Sequence, residues 1–183
     1  MTAASAGGTL RVLAHDPHGQ KDDAHITAEW VVKAAHIDGV RTHDVRNIVT
    51  ANGITTELYR PDWGIVDGSV QQTIHVALRG RAVSAWHQHR LRWDYVFVVG
   101  GHIRIVLFDP REDSATKGKV DVFHLSPARP TLLSIPPWVW HGVQNLSLDV
   151  SSFVNMFDRP YDYDNPDEWR LPLDSTVIPY RFD

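Results

Sequence analysis

The chain has 183 residues, with 18 Lys or Arg against 22 Asp or Glu and a formal net charge of −4 at pH 7. No basic run offers an electrostatic footprint for nucleic acid. With no Cys there is no disulfide framework, thiolate nucleophile or thiolate metal site, so any metal must be held by His, Asp or Glu.

This length suits one core of ordinary size, and no apolar run approaches the roughly 18 residues of a membrane span. The expectation is one cytoplasmic domain with neither a nucleic-acid nor a membrane partner. Residues 1–25, "MTAASAGGTLRVLAHDPHGQKDDAH", mix Gly, Ala, His and charges without a period. They read as a flexible arm rather than a signal peptide, with His15, His18 and His25 solvated. The domain proper, with a C-terminal extension, is then 26–183. A helix is suggested only over 26–37, where Trp30, Val31, Ala34 and Ala35 give weak three-four spacing.

From there on the pattern is one of short β-type segments. "ITTELYR", "VQQTIHVAL", "AVSAWHQH", "YVFVVGG", "HIRIVLF", "VDVFHL", "TLLSI" and "VSSFVNMF" are rich in Val, Ile, Thr, Phe and Tyr. Between them lie turn signals such as "NG", "PDWG", "GG" and "PP". This predicts an all-β sandwich or barrel. "DYVFVVGG" and "TLLSI" are apolar on both faces, as expected of strands covered by a second sheet or by another subunit. His102 and Arg104 alternate with Ile103 and Ile105, which makes them the outward face of a strand.

The chemistry concentrates in "AWHQHRLRWDYVFVVGG" (85–101) and "IPPWVWHGVQN" (135–145). Side chains two apart on a strand share a face, so His87 and His89 project together while Gln88 points away. Asp94 and His141 complete a set of imidazoles and one carboxylate that suits Fe, Mn, Co, Ni or Zn without choosing among them. The plainer reading is two satisfied core histidines and a turn-capping Asp. Trp86, Trp93, Trp138 and Trp140 crowd the same region; they either stack on a ligand ring or fill a core. In "YDYDNPDEW" (161–169), Tyr161 and Tyr163 are candidate acids, although Asp-rich, Asn-Pro composition is ordinary turn chemistry.

The Gly-x6-His-x-His-x4-Asp-x6-Gly segment, followed by Pro-x4-His-x3-Asn, resembles the two cupin signatures. That resemblance implies a single-domain jelly roll, or double-stranded β-helix. Cupins usually have Glu at the position of Asp94 and Gly at that of Trp138. In metal-binding cupins the matching ligands are His87, His89, Asp94 and His141.

Over residues 36–170 the order of segments is similar to the nucleotide-sugar cupins typified by dTDP-4-dehydrorhamnose 3,5-epimerase. The resemblance implies that His87 is the base that removes a proton beside the sugar ketone, and that Glu57 contacts the nucleotide. It also implies a homodimer in which an N-terminal β-segment pairs with the partner's sheet. Asp109, Arg111 and His141 also match family positions, of largely structural character. The departures are chemical. The ketone-polarising lysine aligns with Asp94, the tyrosine acid with Asn155, and the phosphate-binding arginines with Asn52 and Ser84, leaving Arg79 or Arg81 as substitutes. The sugar 3,4-ketoisomerases, which need no metal, carry elements resembling "HQHR" and "PPWVWHG".

Two readings stay open, with a non-catalytic sugar-binding module in reserve. One is an isomerase or epimerase acting without cofactor on a dTDP-linked 4-keto-6-deoxysugar or similar keto substrate. Its base is His87, its partner His89 or His141, and Glu57, Arg79, Arg81, Trp86, Trp138 and Asn155 hold the substrate. The other is a metal-dependent cupin oxygenase or lyase using a divalent transition metal.

Overall fold

The computed structural model describes residues 22–30, 32–33 and 35–183, and falls into two units, Met1–Ala35 and His36–Asp183. Most of the predicted arm, including His15 and His18, lies outside the described residues. His25 is exposed and sits 3.0 Å from Asp22. The helix expected over 26–37 does not form: Ile26 and Val32 pair across a turn, in which Trp30 N–H donates to Thr27 O (3.1 Å). Trp30 has φ +60°, a left-handed conformation that no α-helix contains, and β-branched Ile26, Thr27 and Val32 favour extended backbone.

Apart from one 3-10 turn at Pro61–Trp63, the regular secondary structure of the second unit is strands. They are β1 (Arg41–Asp44), β2 (Ile48–Thr50), β3 (Gly53–Thr55), β4 (Gln72–Leu78), β5 (Val83–Gln88) and β6 (Asp94–Gly100). The chain continues with β7 (Ile103–Phe108), β8 (Val120–Leu125), β9 (Thr131–Ile135), β10 (Trp140–Asn145), β11 (Ser151–Phe157) and β12 (Trp169–Arg170). Two five-stranded antiparallel sheets face one another, in the orders β1-β9-β6-β11-β4 and β12-β5-β10-β7-β8, and β2–β3 forms a separate hairpin. Except for β7 and β8, successive strands from β4 to β12 alternate between the sheets. This is the expected jelly roll.

The turn between β6 and β7 needs its glycine. Gly101 has φ +75°, and a Cβ there would meet Ser151 Oγ at 1.9 Å. Among the described residues, no helix is long and apolar enough to cross a membrane.

Three apolar clusters follow from strand parity. Between the sheets lie Val96, Val98, Leu133, Ile135 and Phe153 against Ile103, Ile105, Leu107 and Val143. The outer face of the first sheet (Tyr95, Phe97, Leu132, Met156) is covered by Ile65 with Leu58, Tyr59 and Trp63. The outer face of the second (Trp86, Val106, Phe108) is covered by the C-terminal segment through Ile178, Tyr180 and Phe182. The two-sided apolar strands are thus enclosed within this protomer, by the opposing sheet and the chain's own excursions.

Exposed apolar surface appears instead on the β2–β3 hairpin, at Ile48, Val49 and Ile54. Asp109 is fully buried and anchors the β7–β8 connection. Its carboxylate accepts from Arg111 Nε at 2.8 Å, from Ser114 and from Thr116. Burial alone would raise its pKa, but these hydrogen bonds outweigh burial and hold the carboxyl well below the usual range. The structural reading of Asp109 and Arg111 agrees with this placement.

Candidate active site

One end of the space between the sheets opens as a cavity of about 400 Å³. Its floor is apolar, with Ile74, Val76, Val96, Ile105 and Phe153 among the lining residues; its polar wall carries His87, His89, His141, Arg92, Glu168 and Arg170. Strand geometry explains the wall. On β5 both Ser84 and His87 face the cavity, three positions apart because the β5–β10 register shifts between them, and His89 follows just beyond the strand; β10 lies alongside with His141 directly opposite His87. Asp94 opens β6 across the cavity, beside Phe157 of β11.

The deepest group is His89, Asp94 and His141, all buried, with one ligand atom from each lying within 4.8 Å of the others. His89 Nδ1 lies 2.6 Å from Asp167 O, and His141 Nδ1 lies 3.3 Å from Val139 O. A carbonyl only accepts, so both imidazoles carry hydrogen on Nδ1, and in their neutral forms both turn an Nε2 lone pair inward. Those Nε2 atoms lie 3.4 and 3.8 Å from Asp94 Oδ2. Three acceptors therefore converge, a donor set that fits a proton or a metal ion. Asn155 Nδ2 donates to the other carboxylate oxygen at 2.9 Å. Burial, partly offset by the Asp94 carboxylate, brings His141 down to about 4.

His87 stands apart from that group. Its Nε2 is 2.7 Å from Arg170 Nη1, which donates to it, and 3.4 Å from Ser84 Oγ. Burial, then the His141 and Arg170 charges, push the imidazole down to about 3. It is neutral at physiological pH. Of the four expected metal ligands the structure unites three, and His87 is the one left out.

Arg92, also buried, donates to Glu168 and lies with its guanidinium 4.4 Å from the Phe157 ring centroid. Its Nη2 is 3.5 Å from His89 Nε2.

Several expected binding residues lie elsewhere. Trp86 is fully buried on the outer side of the second sheet, packed on Phe182, because it neighbours His87 and strand alternation turns it away. Trp138 does not line the cavity. It occupies φ +69°, the left-handed region that suits the glycine usual in cupins, and its guanidinium neighbour Arg90 lies 4.5 Å from the ring centroid. Its backbone N–H donates to His89 O (2.7 Å) and its carbonyl accepts from Gln88 (2.8 Å), so it fixes the end of β5.

Arg79 and Arg81 are exposed on the β4–β5 turn and Asn52 on the β2–β3 turn, none of them lining the cavity, whereas Ser84 does line it. Glu57 is exposed, 3.5 Å from Arg60, in a separate groove with His43, Arg46 and Trp63. Tyr161 and Tyr163 do line the cavity.

Sequence reasoning missed Arg92, Glu168 and Arg170. The last arrives through β12, a two-residue strand that sets Arg170 opposite His87, and "NPDEWR" carries no strand signature that would have announced it.

Residues 34–177 match the family model described as dTDP-4-dehydrorhamnose 3,5-epimerase. The chain is 33% identical over 146 residues to the spore coat polysaccharide biosynthesis protein SpsL of Bacillus subtilis, an alignment covering 80% of this chain and 96% of that protein. It is 30% identical over 140 residues to the Haloferax volcanii protein named "Probable low-salt glycan biosynthesis epimerase Agl13", covering 76% and 90%. Among solved structures, a dTDP sugar isomerase from Desulfovibrio desulfuricans superposes with a TM-score of 0.74 at 28% identity, covering 80% of this chain and 94% of that one.

Proposed function

The chain belongs to the dTDP-4-dehydrorhamnose 3,5-epimerase family, and on that premise we propose that it epimerises or isomerises a dTDP-linked 4-keto-6-deoxysugar by proton transfer, with His87 as the base. The observation that carries this reading is a neutral imidazole on the wall of a cavity whose floor is apolar. Once the Arg170 hydrogen bond is displaced, the Nε2 lone pair can take the acidic proton beside a ketone, and the apolar floor suits the deoxy carbon and ring face of a sugar. His141, edge-on to His87 with ring centroids 5.7 Å apart, is placed to relay a proton within the site.

The test is solvent-deuterium uptake into dTDP-4-keto-6-deoxyglucose, followed by NMR. Wild type exchanges a proton beside the ketone, and His87→Asn loses the exchange while still gaining thermal stability from dTDP, since a ligand that binds only the folded state stabilises it. Absence of exchange in wild type rejects the reading.

The same reading includes a homodimer. Glu57 does not line the cavity of its own protomer, and the exposed apolar β2–β3 hairpin beside it suits a contact that brings Glu57 to a partner's nucleotide.

A second reading rests on the three converging acceptors. His89, Asp94 and His141 would hold a divalent transition metal, which when bound supplies Lewis acidity toward a substrate oxygen. The family match lends no support to an oxygenase. Elemental analysis of protein purified without a metal-binding tag checks the metal itself: about one ion per chain, lost in Asp94→Ala, sustains the second reading, and its absence rejects it.

A further inference from the structure

The epimerase resemblance leaves one chemical role unfilled in this chain. Removing a proton beside a ketone pushes negative charge onto the ketone oxygen, and a cation or donor must meet it. The position where the resembling enzymes carry a lysine is Asp94 here, and a carboxylate would repel that charge.

Among the described residues lining the cavity, two side chains are permanent cations, Arg92 and Arg170. Arg92 is buried and already committed, donating to Glu168 and lying against Phe157. Arg170 is exposed at the side chain, and its Glu168 contact is a loose 3.9 Å. Its Nη1 lies 2.7 Å from His87 Nε2, and its backbone is paired directly opposite His87 on adjacent strands. The register fixes where the arginine starts, while the exposed guanidinium can swing.

We propose that Arg170 is a catalytic residue of this site, the cation that stabilises the enolate oxygen formed when His87 takes the proton. This rests on the proton-transfer reading above. In the ground state Arg170 occupies the His87 lone pair. An entering substrate places its carbon-bound hydrogen toward His87 Nε2 and its ketone oxygen toward the displaced guanidinium. The C–H bond breaks, its proton passes to Nε2, its electron pair forms the C=C bond, and the former C=O π pair becomes the oxyanion that accepts from Arg170. Reprotonation at carbon, from His87 or from a donor on the other face, restores the ketone. Arg170 neither gains nor loses a proton, so the step balances without oxidant or reductant. The cation has thereby moved from β6, where the lysine would stand, to β12 on the opposing sheet.

The experiment compares wild type, Arg170→Ala and Arg170→Lys in the deuterium-exchange assay, with KM, kcat and dTDP affinity measured separately. Loss of one oxyanion donor lowers kcat by about 100- to 1,000-fold. The expected result is such a loss in Arg170→Ala, with dTDP affinity held within about threefold, partial activity in Arg170→Lys, and recovery of the alanine variant by added methylguanidinium. A merely structural arginine would not be rescued by the free cation.

A loss confined to KM or dTDP affinity would make Arg170 a phosphate ligand and overturn the proposal. Arg170→Ala exchanging as fast as wild type would overturn it while leaving the proton-transfer reading intact. A wild type that does not exchange at all would overturn both. The retained dTDP-induced thermal shift reports that each variant is folded.

Discussion

Acid should destabilise this protein through its buried imidazoles, and His141 allows the size of the effect to be worked out. It is buried, and its loss of hydration, offset in part by Asp94 and reinforced by the His89 and Arg92 charges, brings it to about 4 against an ordinary 6.5. The unfolded chain takes up this proton as pH falls past about 6.5, whereas the folded chain waits until about 4. Between those values the unfolded state binds more protons. The stability from keeping His141 neutral is therefore complete above about pH 6.5 and lost progressively down to about pH 4. One group with these two values loses about 2 kcal/mol between about pH 8 and about pH 5. For a chain of this size that lowers Tm by about 4–8 °C. The assay is calorimetry of chelator-treated wild type and His141→Asn at both pH values. His87 and His124 are also depressed and titrate in both proteins, so the quantity of interest is the wild-type drop minus the variant drop. Equal drops in the two proteins, or a wild type that gains stability on acidification, would refute the reasoning.

Two further outcomes test how the scaffold is held. Ile178, fully buried in the C-terminal segment, covers the second sheet with Phe182, which approaches so closely that a Cβ on Gly142 would lie 2.8 Å from its ring. Ile178→Ala should cost about 2–4 kcal/mol and lower Tm by about 5–15 °C in thermal melts, with the dTDP-induced shift preserved because the segment packs outside the cavity. Val49→Asp combined with Ile54→Asp should convert a sedimenting dimer to a monomer without unfolding it, since both side chains are exposed in the protomer; a wild type that is monomeric at micromolar concentration disposes of the dimer.

The legible parts of the sequence were those governed by a short period. "VDVFHL" and "TLLSI" coincide with β8 and β9, and the inward pairing of His87 with His89 follows from alternation alone. The same parity applies to Trp86, adjacent to His87, and would have assigned it to the outer face where it lies. Composition drew it toward the site, and alternation should have prevailed. The 26–37 segment failed as a helix because its apolar spacing was weak and its β-branched residues preferred extended backbone. Glu168 and Arg170 were invisible for another reason. They lie about 80 positions from His87 and His89 in sequence and enter the wall through the brief β12–β5 pairing and the hydrogen bonds of Asp167 to His89, Arg90 and Leu91, long-range contacts that no local pattern encodes. Tyr161 and Tyr163 were read as turn residues. They belong to such a loop, and that loop also lines the cavity.

The two chemical readings compete less sharply in three dimensions than they do along the chain. In sequence, His87 serves as both base and metal ligand, and an imidazole whose lone pair is on a metal cannot also take a proton. In space these duties separate. The convergent acceptors are His89, Asp94 and His141, whereas His87 turns its Nε2 to Arg170. An ion held by the deep trio would leave the His87 lone pair off the metal, so metal content alone does not decide whether His87 is the base. What decides it is the paired behaviour of Asp94→Ala and His87→Asn. If the trio serves only to hold the wall in place, Asp94→Ala lowers Tm while exchange survives at reduced rate, whereas His87→Asn abolishes exchange with Tm little changed. If exchange instead persists in His87→Asn and disappears in Asp94→Ala, proton transfer runs through the trio, and the base has been assigned to the wrong imidazole.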